Sequence, residues 1–287
     1  MNTTKVGQER SLQRIFDVYL FLSPFISPIN VGLSAVAVLY TSFSLFELPH
    51  NILMFLAGFF LTFAVYLLNV VTDFEEDSIN KPEILILRDK KNIIIFISLA
   101  SYILAISIGL CLNFETIIVM FIPFLIGFVY SVKIRGFRIK NLFFAKNVSI
   151  SLSWAMEASL MPFIFKRNLF LLLSVFCFVF IKGMINTILF DLRDVEGDAI
   201  SGVITVPVKM GRRNTFFLLI FLNSLLFLWL LLFYKFLIPH LIFVLICIFY
   251  GYAYIIYFCK SRKRHNRLYS IIVDDEWLLW MLLVNFF

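Results

Sequence analysis

The sequence predicts an all-α membrane protein, a polytopic bundle of transmembrane helices. Hydrophobic residues make up 61% of the 287 residues and charged residues 15%, and the mean hydropathy is +0.95. A soluble domain of this length could not bury so much apolar surface. Apolar runs of helical length also recur along the whole chain, and most basic residues lie in the short segments between them. The net charge of +7 is therefore read as a topology signal rather than as a nucleic-acid footprint.

Eight apolar runs are each long enough to predict a membrane helix, and a shorter last run predicts a ninth. Because no linker or low-complexity tract separates them, residues 1–287 are expected to form a single membrane domain. The runs cover residues 16–40, 52–72, 92–112, 116–131, 147–165, 169–190, 214–234, 238–259 and 277–287.

The basic residues predict the orientation of these helices. If the N-terminus is cytoplasmic, 21 of the 25 lysines and arginines lie on that side and three on the other, with Lys182 inside a helix. Such an excess is the positive-inside signal. We therefore expect a multi-pass protein of the cell membrane with a cytoplasmic N-terminus, and no nucleic acid among its partners.

Two acidic clusters hold 8 of the 18 carboxylates and end two of the apolar runs, both on the basic side. Charge at the end of a membrane helix is a functional hypothesis by default. The key positions of each cluster recur three or four residues apart, so on a helix they would share one face. These positions are Asn69, Asp73 and Asp77 in the first cluster and Asp191, Asp194 and Asp198 in the second.

Two facing sets of oxygen ligands suit divalent cations held against a diphosphate. Mg²⁺ is typically bound by one or two carboxylates, waters and substrate phosphate oxygens. An allylic diphosphate would complete that coordination, and the metal would neutralise the charge of the leaving diphosphate.

Three other interpretations of the acidic clusters are open. Acidic residues at helix ends are often solvated faces or N-caps, although two clusters on one membrane side favour a function. A cation transporter would be expected to place its carboxylates near the midplane, often on broken helices. A CDP-alcohol phosphotransferase gathers its aspartates in one motif that includes D-G-x-x-A-R, whereas these clusters lie about 120 residues apart.

The two clusters resemble the UbiA superfamily of intramembrane prenyltransferases. The likeness lies in N-x-x-x-D-x-x-x-D, which begins at Asn69, and in D-x-x-D-V-E-G-D, which begins at Asp191. It continues through shorter elements along nearly the whole chain, namely Asn80-Lys-Pro, Tyr130-Ser-Val-Lys, Lys146-Asn, Gly202-Val-Ile-Thr-Val-Pro and Gly211-Arg.

The resemblance implies a UbiA-like bundle of about nine helices around a central cavity that opens laterally to lipid. It implies Mg²⁺-dependent transfer of a prenyl group, by way of an allylic cation, from an isoprenyl diphosphate to an aromatic or lipid-precursor acceptor. All six cluster positions would form the metal and diphosphate site, on the cytoplasmic side, and the five aspartates would be catalytic.

Basic and polar residues outside the clusters resemble the family's diphosphate-binding side chains. Lys133 would neutralise phosphate charge, and Tyr130 would donate a hydrogen bond or face the allylic cation. Lys140 and Lys146 are further candidates for contact with the diphosphate.

The chain departs from the family pattern at two points. Relatives follow N-K-P with an arginine, which is absent here, so Lys81 or Arg88 is the candidate replacement at the diphosphate. Ser27-Pro-Ile-Asn resembles a family R-P-x-N element without its arginine, which makes Asn30 the candidate for acceptor binding.

Three charged residues at or near apolar runs are expected to face the protein interior or the membrane interface, namely Asp17, Glu157 and Lys182. Lys182 precedes Asp191 by nine residues, about two and a half helical turns. We therefore expect its ammonium group to approach the same cavity as the second acidic cluster.

Overall fold

The computed structural model describes residues 25–74, 89–131, 142–261 and 266–286, and these residues form helices and no β-strand. Eight long helices follow one another and confirm the predicted all-α membrane bundle. They are α1 (Phe25–Leu45), α2 (Ile52–Thr72), α3 (Lys91–Leu112), α4 (Phe114–Ser131), α5 (Ala145–Phe165), α6 (Leu169–Ser201), α7 (Val206–Leu237) and α8 (Leu241–Lys260).

Six helical stretches of the described chain are long and apolar enough to cross a membrane. One of these, Val206–Lys260, contains both α7 and α8, which are separated by the 3-10 turn Ile238–His240. The apolar part of α4, Phe114–Gly127, is shorter than these stretches. The predicted ninth helix is present as α9, Glu276–Leu283, which has only eight residues.

Contacts between helix ends show that neighbouring helices alternate in direction. Lys91 at the start of α3 lies over the Phe74 ring beyond the end of α2, and Arg167 beyond the end of α5 pairs with Glu115 at the start of α4. Helices α2 and α3, α4 and α5, and α5 and α6 pack against each other in pairs, as antiparallel hairpins do. The C-terminal ends of α2, α4 and α6 and the N-terminal end of α5 therefore lie at one face, which we call the acidic face. At the opposite face, Lys166 pairs with Glu47 at 3.0 Å, and Arg167 pairs with Glu115.

Helix α6 extends well beyond the apolar run that predicted it. Its 33 residues correspond to about 50 Å at 1.5 Å per residue, against a hydrocarbon core of about 30 Å. Asn168 caps its start by accepting the backbone N–H of Phe170 at 3.0 Å. Gly202 ends it in the left-handed region, with a φ of 75°, which glycine adopts without strain. The second acidic cluster therefore lies on one continuous helix.

The C-terminal segment, residues 266–286, closes the bundle against four of the long helices. A π-helical turn, Ser270–Asp274, precedes α9. Ser34 of α1 donates to the carbonyl of Asp274 at 3.3 Å. Trp277 stacks on Trp154 of α5, with ring centroids 5.8 Å apart. The C-terminal segment therefore contacts α1 and α5. Its contacts with α6 and α8 are described next.

A buried ion pair attaches the C-terminal segment to α6. Lys182 and Glu276 form a salt bridge, and both side chains have no exposed surface. The Lys182 ammonium also donates to the hydroxyl of Tyr254 on α8 at 2.8 Å, and that hydroxyl donates to the Glu276 carboxylate at 3.1 Å. Lys182 thus points to the C-terminal segment. The prediction that its ammonium group approaches the acidic cluster is wrong.

We predict that breaking this pair destabilises the protein far more than removing it. Lys182→Met or Glu276→Gln alone leaves one buried charge without its counter-ion, which costs about 3–5 kcal/mol. The double variant Lys182→Met/Glu276→Gln should recover most of that loss. The free energy of unfolding in detergent measures each effect.

Lys166→Met serves as the matched control, because the Lys166–Glu47 pair is solvent-exposed and its loss should cost no more than about 1 kcal/mol. Equal losses in Lys182→Met, Glu276→Gln and the double variant would contradict the pairing argument.

Candidate active site

The second acidic cluster is anchored to α5 through its first aspartate. Asp191 is fully buried. Lys146 contacts one of its carboxylate oxygens at 2.6 Å, and the Asn147 side-chain amide donates to the other at 2.8 Å. Both partners lie in the first turn of α5, so the N-terminal end of α5 is fixed against the C-terminal third of α6. A buried carboxylate with hydrogen-bond partners on both oxygens keeps its orientation.

Asp194 and Asp198 lie one and two turns further along α6. Arg193 binds the Asp194 carboxylate in bidentate fashion, at 2.9 and 2.6 Å, while its guanidinium lies 4.8 Å from the centre of the Phe190 ring. Asp198 is 8% exposed and within electrostatic reach of Asp191, Asp194 and Lys146. The three aspartates thus form one patch of negative charge with a lysine beside it.

The first cluster begins in the last turn of α2. Asn69 is half-buried, and its carbonyl accepts the backbone N–H of Asp73 at 2.9 Å. Asp73 is the C-cap residue, so its side chain leaves the helix at the acidic face. The alternation of helix direction therefore brings Asn69 and Asp73 to the same face as the second cluster.

Several predicted site residues lie outside the part of the chain that the structure describes. They are Asp77, Lys81, Arg88, Lys133 and Lys140, together with the side chain of Tyr130 at the end of α4. The site roles inferred for them remain predictions. Asp17, for which no site role was inferred, also lies outside the described ranges.

Two further predicted residues are described and differ in their surroundings. Lys146, predicted to contact diphosphate, is bound to Asp191 as described above, and its side chain is 25% exposed. Asn30, the predicted acceptor-binding residue, is exposed on α1, and its carbonyl accepts the Ser34 hydroxyl at 3.1 Å.

A cavity extends inward from the acidic face between α2, α4 and α5. The space between its walls, open mouth included, is about 520 Å³. Asn69 and Ser149 line its end nearest the acidic face, and Thr62 and Glu157 line its deepest end. Most of the wall between them is apolar, from Leu61, Val65, Pro123, Ile126, Gly127 and Ile150.

Two aromatic residues give the cavity wall a fixed shape. The indole N–H of Trp154 donates to the Tyr66 hydroxyl at 3.2 Å, and the two rings meet edge to face with centroids 6.5 Å apart. Trp154 is held from behind by the ring of Trp277 in the C-terminal segment. The cavity is therefore braced by the same segment that closes the bundle.

The donor set at the acidic face fits a hard cation such as Mg²⁺. Its groups are carboxylate oxygens of Asp73, Asp194 and Asp198 and the amide oxygen of Asn69. Among the described residues, no three His, Cys, Asp or Glu side chains form a complete metal cluster. Mg²⁺ requires no such cluster, because it keeps waters and takes oxygens from substrate phosphates.

Sequence reasoning missed two features of this site. Asn147 hydrogen-bonds Asp191, yet it was recognised only as part of the Lys146-Asn147 dipeptide and received no role. Glu157 lies in the cavity wall, whereas the sequence indicated only that it faces inward. Because contacts between helices set both roles, spacing along the chain carries no signal for them.

Solved structures of other proteins share this fold. A structure of digeranylgeranylglyceryl phosphate synthase in membranes is 20% identical, with a TM-score of 0.62, and the match covers 94% of this chain and 99% of that one. A UbiA homologue from Archaeoglobus fulgidus bound to DMAPP and Mg²⁺ is 15% identical, with a TM-score of 0.64, covering 92% and 98%. The same homologue bound to GPP and Mg²⁺ gives the same identity and TM-score, covering 92% and 99%.

Sequence comparison assigns the family. No curated protein matches the chain closely enough to serve as a relative. The model of the UbiA prenyltransferase family matches residues 30–283, which include both acidic clusters, all the cavity-lining residues and the start of the C-terminal segment. With its helical bundle, its acidic face and this match, the chain belongs to the UbiA prenyltransferase family and is a membrane prenyltransferase.

Proposed function

We propose that the acidic face binds the head of an isoprenyl diphosphate together with Mg²⁺, and that the prenyl group enters the outer, apolar part of the cavity between α2, α4 and α5. The observation that carries this proposal is the position of two aspartate clusters at the open end of an apolar cavity. The Archaeoglobus fulgidus homologue supports it, because that protein binds DMAPP or GPP together with Mg²⁺.

Each described side chain has a role in this proposal. Asp73, Asp194 and Asp198 would hold the metal, and Mg²⁺ when bound would neutralise charge on the diphosphate oxygens. Asp191 would keep the α5 and α6 ends in register through Lys146 and Asn147. Asp77 and the basic residues outside the described ranges would complete the site.

The reaction breaks the allylic C–O bond, and the electron pair leaves with the diphosphate. The allylic cation that remains is attacked by a nucleophilic carbon or oxygen of the acceptor, which then loses a proton. The faces of Tyr66 and Trp154 suit an adjacent cation, and an aspartate of the second cluster is our candidate for the proton acceptor. An aromatic compound and a lipid precursor such as a glycerol phosphate ether are the two acceptor classes that fit this chemistry.

We also propose that the acidic face is cytoplasmic. The positive-inside count supports this orientation, because the segments that emerge at the acidic face carry most of the basic residues. Lys166 and Arg167, two of the three basic residues assigned to the other side, lie at the opposite face.

Binding of the donor should require the metal. Purified protein with Mg²⁺ is expected to bind radiolabelled geranyl diphosphate, and EDTA should abolish that binding because the carboxylates then repel the diphosphate. Equilibrium dialysis or filter binding measures the effect, and re-addition of Mg²⁺ is the control for reversibility. Undiminished binding in EDTA would refute the metal's role.

Removal of one carboxylate from either cluster should reduce turnover. Asp73→Ala and Asp194→Ala are each expected to lower kcat about 10³-fold, because a metal contributes several kcal/mol and each 1.4 kcal/mol is tenfold in rate. Release of diphosphate from geranyl diphosphate is the measurement. Glu115→Ala, at the opposite face, is the matched control, and near-normal rates in both cluster variants would exclude them as metal ligands.

Asn147 should act through Asp191 rather than on the substrate. Asn147→Leu leaves one buried carboxylate oxygen without its donor, and loss of such a supporting contact typically costs 10–100-fold in metal affinity or activity. We expect the Mg²⁺ concentration for half-maximal turnover to rise, with the protein still folded in detergent. An unchanged Mg²⁺ dependence would show that the Asn147 contact is structural only.

A further inference from the structure

Among the described residues that line the cavity, Glu157 is the one with a carboxyl group, and it lies far from the acidic face. From Asn147 to Glu157 the chain climbs ten residues of α5, about 15 Å at the rise of an α-helix. On α2, Thr62 lies seven residues before Asn69, about 10 Å deeper. Both helices therefore place the deep end of the cavity near the middle of the membrane.

The carboxyl group of Glu157 is buried with one of its two oxygens unsatisfied. The residue is 6% exposed, and its Oε1 atom has no hydrogen-bond partner in the described chain. The side chain hydrogen-bonds to Thr62, and no described ion pair includes it. Gly58 makes room for it, because a side chain at that position would begin 3.2 Å from Oε1 and 2.2 Å from Leu39. A buried polar atom of this kind requires a partner.

A second polar group faces the same space. The Tyr66 hydroxyl lines the cavity, accepts a hydrogen bond from Trp154 and lies within electrostatic reach of Glu157. Its own proton is available to a ligand, because that contact uses only the oxygen lone pair. The deep end of the cavity therefore offers one acceptor and one donor, which is the pattern that a hydroxyl group satisfies.

We propose that Glu157, with Tyr66, binds a hydroxyl group of the acceptor substrate and holds that substrate with its reactive atom towards the acidic face. This inference rests on the proposed function, because it assumes that the donor diphosphate occupies the acidic face. Glu157 is a specificity-determining residue in this scheme. It lies too deep to take the proton released beside the diphosphate.

The chemistry of the site excludes two other occupants of its deep end. A prenyl tail has no polar hydrogen, so packing it against Glu157 would leave the carboxylate unsatisfied at a considerable cost. A phosphate group would lose its hydration there, and no basic side chain among the described lining residues offsets that loss. A hydroxyl on a flat apolar body satisfies Oε1 and packs on the rings of Tyr66 and Trp154, which favours a phenolic acceptor over a phosphate-bearing one.

Binding of a small phenol tests this inference separately from donor binding. The full-length protein, in detergent with Mg²⁺ and the unreactive donor analogue geranyl thiolodiphosphate, is titrated with hydroquinone or with 1,4-dimethoxybenzene, which lacks the hydroxyl proton. Hydroquinone should bind saturably, and the dimethyl ether at least about tenfold more weakly, because the hydrogen bond to the buried Oε1 atom is lost.

The variants assign the contact to Glu157. Glu157→Leu should raise the Kd for hydroquinone about 10- to 100-fold and leave the Kd for the donor analogue unchanged. Glu157→Gln keeps a carbonyl oxygen and the side-chain shape, so its loss should be smaller, and it remains informative if Glu157→Leu does not fold. Glu115→Gln, at the face opposite the acidic face, should behave as the wild type.

Three outcomes overturn the inference. They are equal binding of hydroquinone and its dimethyl ether, wild-type affinity for hydroquinone in both Glu157 variants, and no saturable hydroquinone binding at all. Tighter binding of the donor analogue to Glu157→Leu, with hydroquinone unaffected, would instead assign Glu157 to the tail site. Failure of the wild type to bind the donor analogue would count against the proposed function. The titration of the donor analogue alone measures this, separately from the titration of hydroquinone.

Discussion

The bundle depends on two ion pairs that involve α6, one fully buried and one part-buried. Within a membrane, a buried charge persists only where an opposite charge or hydrogen-bond donors meet it. Asp191 meets Lys146 and Asn147 on α5, and Lys182 meets Glu276 in the C-terminal segment. These contacts are about two and a half turns apart along α6. They fix the helix that carries the second acidic cluster to its neighbours on both sides, so the geometry of the site follows from charge pairing as much as from apolar packing.

The two pairs also connect the fold to the cavity. Glu276 begins α9, and Trp277, the next residue, stacks on Trp154 in the cavity wall. Trp154 in turn holds the Tyr66 hydroxyl. A change at the Lys182–Glu276 pair would therefore reach the substrate cavity through three aromatic rings. Such side chains lose little conformational entropy on binding and suit a preformed site.

The sequence predicted the class of fold and the family because both depend on patterns along the chain. Apolar runs located all eight long helices, although α7 begins eight residues before its run and α6 ends eleven residues after its run. The spacing of the aspartates indicated a functional cluster. The extension of α6 to Ser201 was not predicted by hydropathy, which falls at Asp191 although the residues there still form a helix. The partner of Lys182 was predicted wrongly, because proximity along α6 favoured Asp191 and only the packed bundle brings Glu276 to it.

Glu157 differs from the paired charges in a way that separates structure from function. Lys182 and Glu276 neutralise each other, so their burial is complete in the protein alone. Among the described residues, Glu157 has no ionic partner, and its Oε1 atom lacks a hydrogen-bond partner in the cavity wall. A bound ligand would have to supply that hydrogen bond. Proteins tolerate such a cost where a ligand offsets it, and functional sites are where local rules of stability are broken. A chain selected for stability alone would place leucine at position 157, since Leu61 and the other apolar lining residues already surround it. The buried carboxyl group is therefore the part of the cavity most directly explained by substrate.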